Sequence, residues 1–462
     1  MRRWAFEPVL RSLQNGLAPA VVLRGPRQIG KTILLTQVID HLLRSGVAPH
    51  RILRLQFDDL PQVRRLDTPI LELCRWFSER VLQKSFHQAA GDGQRAFLFL
   101  DEVQNLSDWA PQIKHLVDMH PVRVLVTGSS ALRIEAGRDS LAGRIATLEL
   151  GPMLLREIAE LRGFGRLNPF LTGNGLAPLK EKQTWLELVE FGRRDPEIRH
   201  QAFAAFSERG GYPFAQARSD QPWEVVADFL NETVIQRAIR HDLRLGPKGQ
   251  KRDEHLLEEV FRLACRYIGQ SPGQALYLQE IRGAMHANIG WQRVLAYLKF
   301  LDGALLVRLI EPLELRLKRR HGAPKICLSD HTLRAAWLQE AVPLDPDQLV
   351  RFPHPADLAG RVAESTAGCF FCSLRGLDLA HFPERGAEPE VDFVLTVGEQ
   401  RVPVEVKYRR RIEHRDTAGL RSFLEKPHYN APFGLLVTLA DDLASDDPRI
   451  ISVPLSTLLL LR

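Results

Sequence analysis

Cysteine is scarce in this 462-residue chain. There are five, and two of them, Cys369 and Cys372, sit in the one C-x-x-C, inside an apolar Cys-Phe-Phe-Cys run. A disulfide framework needs more cysteines at closer spacing. A zinc site needs a second ligand pair, and none follows. Buried thiols in a reducing cytoplasm are the expectation. Long apolar runs are missing too. Nothing approaches the ~18–20 residues of a membrane span, so no membrane partner is expected. Met1-Arg2-Arg3-Trp4 carries charge without a following apolar stretch, so no signal peptide is expected either. Neither charge sign dominates: 62 Lys and Arg against 56 Asp and Glu leave +6, which permits a nucleic-acid partner without requiring one. Internal repeats and low-complexity tracts are absent. With 45% hydrophobic and 26% charged residues, a disordered or fibrous chain is excluded.

At ~150 residues per domain the length suggests about three domains. The order of patterns suggests four blocks and an α/β chain overall. Residues 1–155 alternate short β-branched runs with helical stretches. Val21–Leu23, Arg51–Phe57, Ala96–Leu100 and Val122–Thr127 read as strands, which predicts a parallel sheet covered by helices. Residues 156–250 read as a helical connector or lid. It includes a Gly/Asn/Pro-rich loop from Gly163 to Pro178 and one long amphipathic helix from Pro222 to Leu243. Residues 251–342 give helices followed by two strand-like segments, Leu305–Ile310 and Lys325–Leu328, with a basic stretch between them. That is the order of a winged helix-turn-helix. Residues 343–462 open on a Pro-rich linker. A helix near Ala359–Thr366 and short strands follow, a small α/β end.

The strongest local signal is Gly25-Pro26-Arg27-Gln28-Ile29-Gly30-Lys31-Thr32, which fits the Walker A pattern G-x-x-x-x-G-K-[ST] at every fixed position. Gly25 and Gly30 let backbone N–H groups approach phosphate oxygens, and Lys31 reaches the β and γ phosphates. The Thr32 hydroxyl ligates Mg²⁺, and the following helix contributes its N-terminal dipole. ATP with Mg²⁺ is the expected cofactor. Downstream, Phe97-Leu98-Phe99-Leu100-Asp101-Glu102 is an apolar strand ending in two carboxylates. Asp101 is expected to hold Mg²⁺, directly or through water. Glu102 is expected to orient and deprotonate the attacking water, which favours hydrolysis over mere binding. Val122–Thr127 runs into Thr127-Gly128-Ser129-Ser130. There Ser129 is a candidate sensor of the γ-phosphate, and a helix N-cap reading stands equally open. Arg144 is a candidate arginine finger, acting in its own chain or on a neighbour's nucleotide. A surface ion pair is the other reading.

These motifs follow one another as in a known group. Gly25–Thr32, Leu100-Asp101-Glu102-Val103-Gln104, Thr127–Ser130 and Leu141-Ala142-Gly143-Arg144 are continued by Gly210-Gly211-Tyr212-Pro213, Arg240-His241-Asp242 and Lys325–Asp330. In this the chain resembles the prokaryotic AAA-type P-loop ATPases that carry a C-terminal domain of unknown function. It also looks like a relative of the signal-transduction ATPases built on the same core. The resemblance implies an N-terminal P-loop NTPase, a helical and winged-helix middle and a restriction-endonuclease-like end. AAA-type cores often need a neighbour's arginine, so a homo-oligomeric ring such as a hexamer is an open expectation. Arg162 to His200 matches no motif of the group.

A second chemical site is expected in the last block. Glu390-Val391-Asp392-Phe393-Val394-Leu395 is followed by Val402-Pro403-Val404-Glu405-Val406-Lys407, with a turn between them. Residues i and i+2 of a strand share a face, so Glu405 and Lys407 point together and Asp392 can come beside them. Asp392 and Glu405 could hold Mg²⁺, and Lys407 could position the attacking water. The pattern resembles the PD-(D/E)xK nuclease superfamily, whose first-helix acid Glu364 matches as a further metal ligand. E-x-K alone arises by chance about once or twice in a chain this long. Endonuclease activity therefore stays open beside two other readings, a salt-bridged hairpin and a DNA-binding platform without turnover. Basic residues gather after Lys407, at Arg409-Arg410-Arg411 and Arg415, and between the two strand-like segments, at Arg316, Lys318, Arg319, Arg320 and His321. Two such patches make DNA, duplex or branched, the expected partner.

Three functions compete. The first is an ATP-hydrolysing, DNA-binding ATPase that couples nucleotide turnover to DNA remodelling or processing, and it is preferred. The second is a nucleotide-controlled switch with an inactive nuclease-like domain. The third is a metal-dependent nuclease whose ATPase only senses.

Overall fold

A computed structural model of the chain describes residues 1–58, 62–63, 66–106, 108–128, 141–173, 175–242, 253–314, 322–351, 356–384, 386 and 388–462. The chain forms two compact units. The first comprises Met1–Gly151, Gln236–Arg252 and Gly303–Leu305, and the second comprises Pro152–Ile235, Asp253–Asp302 and Leu306–Arg462. The four blocks read from the sequence therefore describe chain order. Helical middle and C-terminal end pack as one body.

In the first unit, β1 (Ala20–Arg24), β2 (Ile52–Gln56), β3 (Phe97–Asp101), β4 (Arg123–Gly128) and β5 (Ile145–Glu149) form a sheet in the order β2-β3-β4-β1-β5. Every pair is parallel. Both β1 and β3 are buried along their whole length, which is why they read as continuous apolar runs rather than alternating ones. Leu98, Leu100, Val124 and Val126 pack with Ile113 and Leu116 of the helix Trp109–Met119 and with Ile70, Cys74 and Phe77 of the helix Pro69–Phe77. The first four strands fall where the alternation puts them. β5 escapes that reading because Ile145-Ala146-Thr147-Leu148-Glu149 is only half buried and lacks an apolar run.

The helical part of the second unit includes Leu155–Arg162, Lys182–Gly192, Pro196–Arg209 and Trp223–Leu230. The expected single helix from Pro222 differs in kind. After Leu230 the backbone widens into π-helical turns at Asn231–Gln236 and again at Ala238–Asp242. Helices Glu254–Arg266, Gln274–Met285 and Trp291–Gly303 lead to an antiparallel pair, β6 (Val307–Ile310) and β7 (Lys325–Leu328). The basic stretch expected between these strands, Arg316 to His321, lies outside the described residues.

The C-terminal sheet is mixed. Its strands are β8 (Asp378–Phe382), β9 (Val391–Val397), β10 (Gln400–Lys407), β11 (Gly434–Thr438) and β12 (Ile450–Pro454), in the order β12-β11-β10-β9-β8. The first three are antiparallel neighbours, and β10, β11 and β12 run parallel. The helix Ala356–Cys372 precedes the sheet, and the helix Ala418–Leu424 connects β10 to β11. Cys369 and Cys372 lie one turn apart on the former, and all five cysteines are free. No described helix is long and apolar enough to cross a membrane.

Two motifs without an assigned role meet in this unit. Gly210 has φ 63°, a conformation L-residues resist, and a Cβ there would lie 2.1 Å from Asp330 Oδ1. The Gly211 N–H donates to Asp330 Oδ2 at 2.6 Å, and the Thr332 N–H donates to Asp330 Oδ1 at 2.9 Å. One buried carboxylate thus caps the helix His331–Leu338 and fastens the Gly210-Gly211 turn to it.

Candidate active site

β1 ends at Arg24 and the chain turns through Gly25–Gly30 into the helix Lys31–Arg44. Two glycines make that turn feasible. Gly30, at the N-cap, has φ 92°, and a Cβ on Gly25 would lie 2.4 Å from the Leu150 carbonyl. Arg3 anchors the loop from below, donating to the carbonyls of Ile29 (2.5 Å) and Gly151 (2.8 Å). The Lys31 ammonium is buried and is held by the carbonyls of Gly25 (3.0 Å) and Pro26 (2.8 Å), with Glu102 Oε1 at 3.9 Å. It is therefore positioned over the loop.

Thr32 Oγ1 donates to Asp101 Oδ2 at 2.9 Å, so the hydroxyl and carboxylate expected to share Mg²⁺ are in contact. Asp101 is fully buried, and its other oxygen accepts from the Thr127 hydroxyl. The same Thr127 Oγ1 accepts the Glu102 N–H at 3.2 Å. Glu102 itself sits at φ 55°, a strained conformation for a residue with a Cβ, costing on the order of 1 kcal/mol or more. Gln104 donates to its Oε2, and Asn105 Nδ2 donates to its carbonyl at 3.1 Å. The glycine cradle, the helix N-terminus, Lys31 and the Thr32–Asp101 pair fit a nucleotide triphosphate with Mg²⁺ in donor set and charge.

Gly25, Gly30, Lys31, Thr32, Asp101 and Glu102 are thus brought together as expected. Ser129 lies outside the described residues, and Thr127 is the residue of that strand end found on Asp101. Arg3, Thr127 and Gln104 were missed. Thr127 could have been found, since a polar residue closing an apolar strand beside β3 has to meet Asp101. Arg144 is not brought to the loop. Its carbonyl accepts from Ala20, the first residue of β1, while the loop begins after the last. Four strand residues separate the two ends by about 13 Å. Its guanidinium pairs with Asp118 at 2.5 Å, as the surface ion-pair reading has it.

The expected C-terminal residues also converge. Phe393 pairs with Val404, which sets Asp392 beside Glu405, and the Val406 N–H donates to Asp392 Oδ2 at 2.8 Å. Glu405 Oε1 is ion-paired with Lys407 on the same face of β10. Glu364, on the helix Ala356–Cys372, hydrogen-bonds Asp392. A residue the sequence did not single out stands among them. Lys325, from β7, is 1% exposed, and its ammonium contacts Glu364, Asp392 Oδ1 (3.1 Å) and Glu390 Oε1 (3.3 Å). Desolvation and the facing Asp392 raise the Glu364 carboxyl well above its usual range. Asp392 is held low despite desolvation, by Lys325 and then Lys407. Burial, with Asp392 beside it, pushes Glu405 up to about 8. Among the described residues no group of three His, Cys, Asp or Glu is arranged to hold a metal. Glu405 Oε2 has no hydrogen-bond partner, yet both Asp392 oxygens and Glu364 Oε1 are engaged. The cluster as folded does not fit Mg²⁺, which wants several open oxygens at once. Past Lys407, Arg409, Arg410, Arg411 and Arg415 are exposed, with Arg409 paired to Asp416 and Arg415 to Glu413 at 2.8 Å.

Residues 18–159, which hold the sheet, the loop and its two carboxylates, match the family model described as an AAA domain. Residues 200–342 and 370–458 match two further models, each described as a domain of unknown function. The chain is 24% identical to the uncharacterized protein MJ1637 of Methanocaldococcus jannaschii over 84% of its own length and 75% of that protein's. It is 23% identical to an uncharacterized protein of Haemophilus influenzae over 54% of its own length, spanning about half (52%) of that relative. Among solved structures, a Walker-type ATPase of Pyrococcus abyssi aligns over 72% of this chain and 94% of its own, at 14% identity and a TM-score of 0.36.

Proposed function

We propose that this protein hydrolyses ATP with Mg²⁺ in its first unit and couples turnover to DNA held by its second. The observation that carries the reading is the Thr32–Asp101 contact, with Lys31 and Glu102 facing each other 3.9 Å apart across the same loop. Thr32 and Asp101 would hold Mg²⁺, which would supply charge stabilisation at the phosphates. The protein's part is to orient. Thr127 fixes the Asp101 carboxylate and the Glu102 backbone, and Gln104 holds the Glu102 side chain by donating to its Oε2. Glu102 then accepts that water's proton as it attacks.

DNA is supported by the exposed arginines after Lys407 and by the order of three helices and a β-pair in residues 254–328, which is that of a winged helix. A restriction-endonuclease-like fold suits the mixed C-terminal sheet with Asp392, Glu405 and Lys407 on adjacent strands. Cleavage is not part of the proposal, because Lys325 stands where a metal would be needed. Arg144, turned away from its own loop, suits a neighbouring copy's nucleotide, so assembly is expected when ATP is bound. The test is ATP turnover measured with duplex, branched and single-stranded DNA while intact substrate is followed in parallel. Stimulation by one of them without cleavage supports the proposal. Turnover indifferent to all of them contradicts the DNA half.

A further inference from the structure

The strands β9 and β10 and the helix Ala356–Cys372 gather four acids, Glu364, Glu390, Asp392 and Glu405, around a space that the sequence pattern reserves for a divalent cation. The space is filled by a side chain from elsewhere in the fold. Lys325 enters from β7, more than thirty residues upstream of the first of those acids. Its ammonium touches three of the four carboxyl groups and lies 5.2 Å from the Phe393 ring centroid, an aromatic face that also favours a cation. We propose that Lys325 is the resident cation of the C-terminal cluster, an internal counter-ion that takes the place of a metal and ties the β6–β7 pair to the mixed sheet.

Three observations support this independently of one another. The geometry is that of a coordination centre, with oxygens of Glu364, Asp392 and Glu390 converging on one nitrogen. The lysine is 1% exposed and sits deeper than the acids it meets, of which Glu390 reaches the surface, so its charge has to be matched by carboxylates where it stands. The second oxygen of Asp392 is spent on the Val406 N–H and Glu405 Oε1 on Lys407, which leaves too few open oxygens for a metal to compete. Lys407 then has a carboxylate to neutralise rather than a water to activate. The inference does not depend on DNA being the partner, and its test does not use DNA.

The test is Mn²⁺ binding to the full chain without nucleotide, followed by the electron paramagnetic resonance of free Mn²⁺. The wild type and Asp392→Asn should show the same number of sites. A site present in the wild type and lost in Asp392→Asn would overturn the inference. Lys325→Met should gain one site, removed again in Lys325→Met/Asp392→Asn. A folded Lys325→Met chain that gains none would overturn it too. Where Lys325→Met does not fold, the comparison of wild type with Asp392→Asn decides alone.

Discussion

The phosphate loop concentrates its chemistry in a few atoms, and each can be removed singly. Lys31→Ala deletes the charge facing the phosphates. A charge-assisted bond contributes ~1.5–3 kcal/mol, so ATP affinity should fall about ten- to a hundredfold in a calorimetric titration. An unchanged affinity would mean that the buried ammonium serves the fold alone. Thr127→Val removes one hydroxyl that orients both Asp101 and Glu102. Partners that orient a metal ligand typically matter by ~10–100-fold, so the Mg²⁺ concentration giving half-maximal turnover should rise by about that factor while the fold is kept. The motif residues were legible because phosphate chemistry dictates both their type and their spacing. Arg3 and Lys325 were not, because each acts through a neighbour that only the folded chain supplies.

At the scale of elements, sequence patterning found buried strands better than exposed ones. β1, β3 and β4 are apolar almost throughout and β2, an edge strand with Arg54 exposed, was found from its alternation, whereas β5 at the other edge of that sheet and β8 at one edge of the second carry polar residues and went unread. The π-helical turns after Leu230 were equally invisible, since the apolar spacing there also suits an α-helix. The Gly210-Gly211 turn is where an element can be tested. Gly210→Ala adds a Cβ at positive φ that meets the Asp330 carboxylate. It should displace the cap of the helix His331–Leu338 and destabilise the second unit by about 2 kcal/mol or more. Chemical denaturation followed through the midpoint checks this, and a shift within error would contradict the role given to Asp330.

Across the whole molecule, net charge of +6 proved less informative than where opposite charges are buried together. The C-terminal cluster holds acids whose protons bind more tightly folded than unfolded. Glu405, pushed up to about 8 against an ordinary value near 4.5, favours the folded state fully below about pH 4.5 and loses that contribution as pH rises to about 8. Glu364, raised for the same reason, acts in the same direction. Asp392, held low, contributes stability above its ordinary value and so does not oppose this trend between pH 5 and 8. The second unit should therefore lose on the order of a few kcal/mol between pH 5 and 8. In Glu405→Gln the loss should be visibly smaller, as read from melting temperatures across that range. A wild-type profile that rises from pH 5 to 8, or a variant with the same slope, would contradict the assignment. Domain grouping was the least legible property. Helical connector and C-terminal end are distant in sequence yet share one packed unit, through contacts such as Arg199 with Asp441 that no local pattern announces.

The central claim is that the first unit is a hydrolysing site and not merely a binding one, and Glu102 carries that distinction. Steady-state ATP turnover of wild type and Glu102→Gln, each with its ATP affinity measured alongside, tests it most directly. Glu102→Gln should keep its affinity and turn over ~10²–10⁴-fold more slowly, the span of a lost general base. Turnover in Glu102→Gln at the wild-type rate would contradict it.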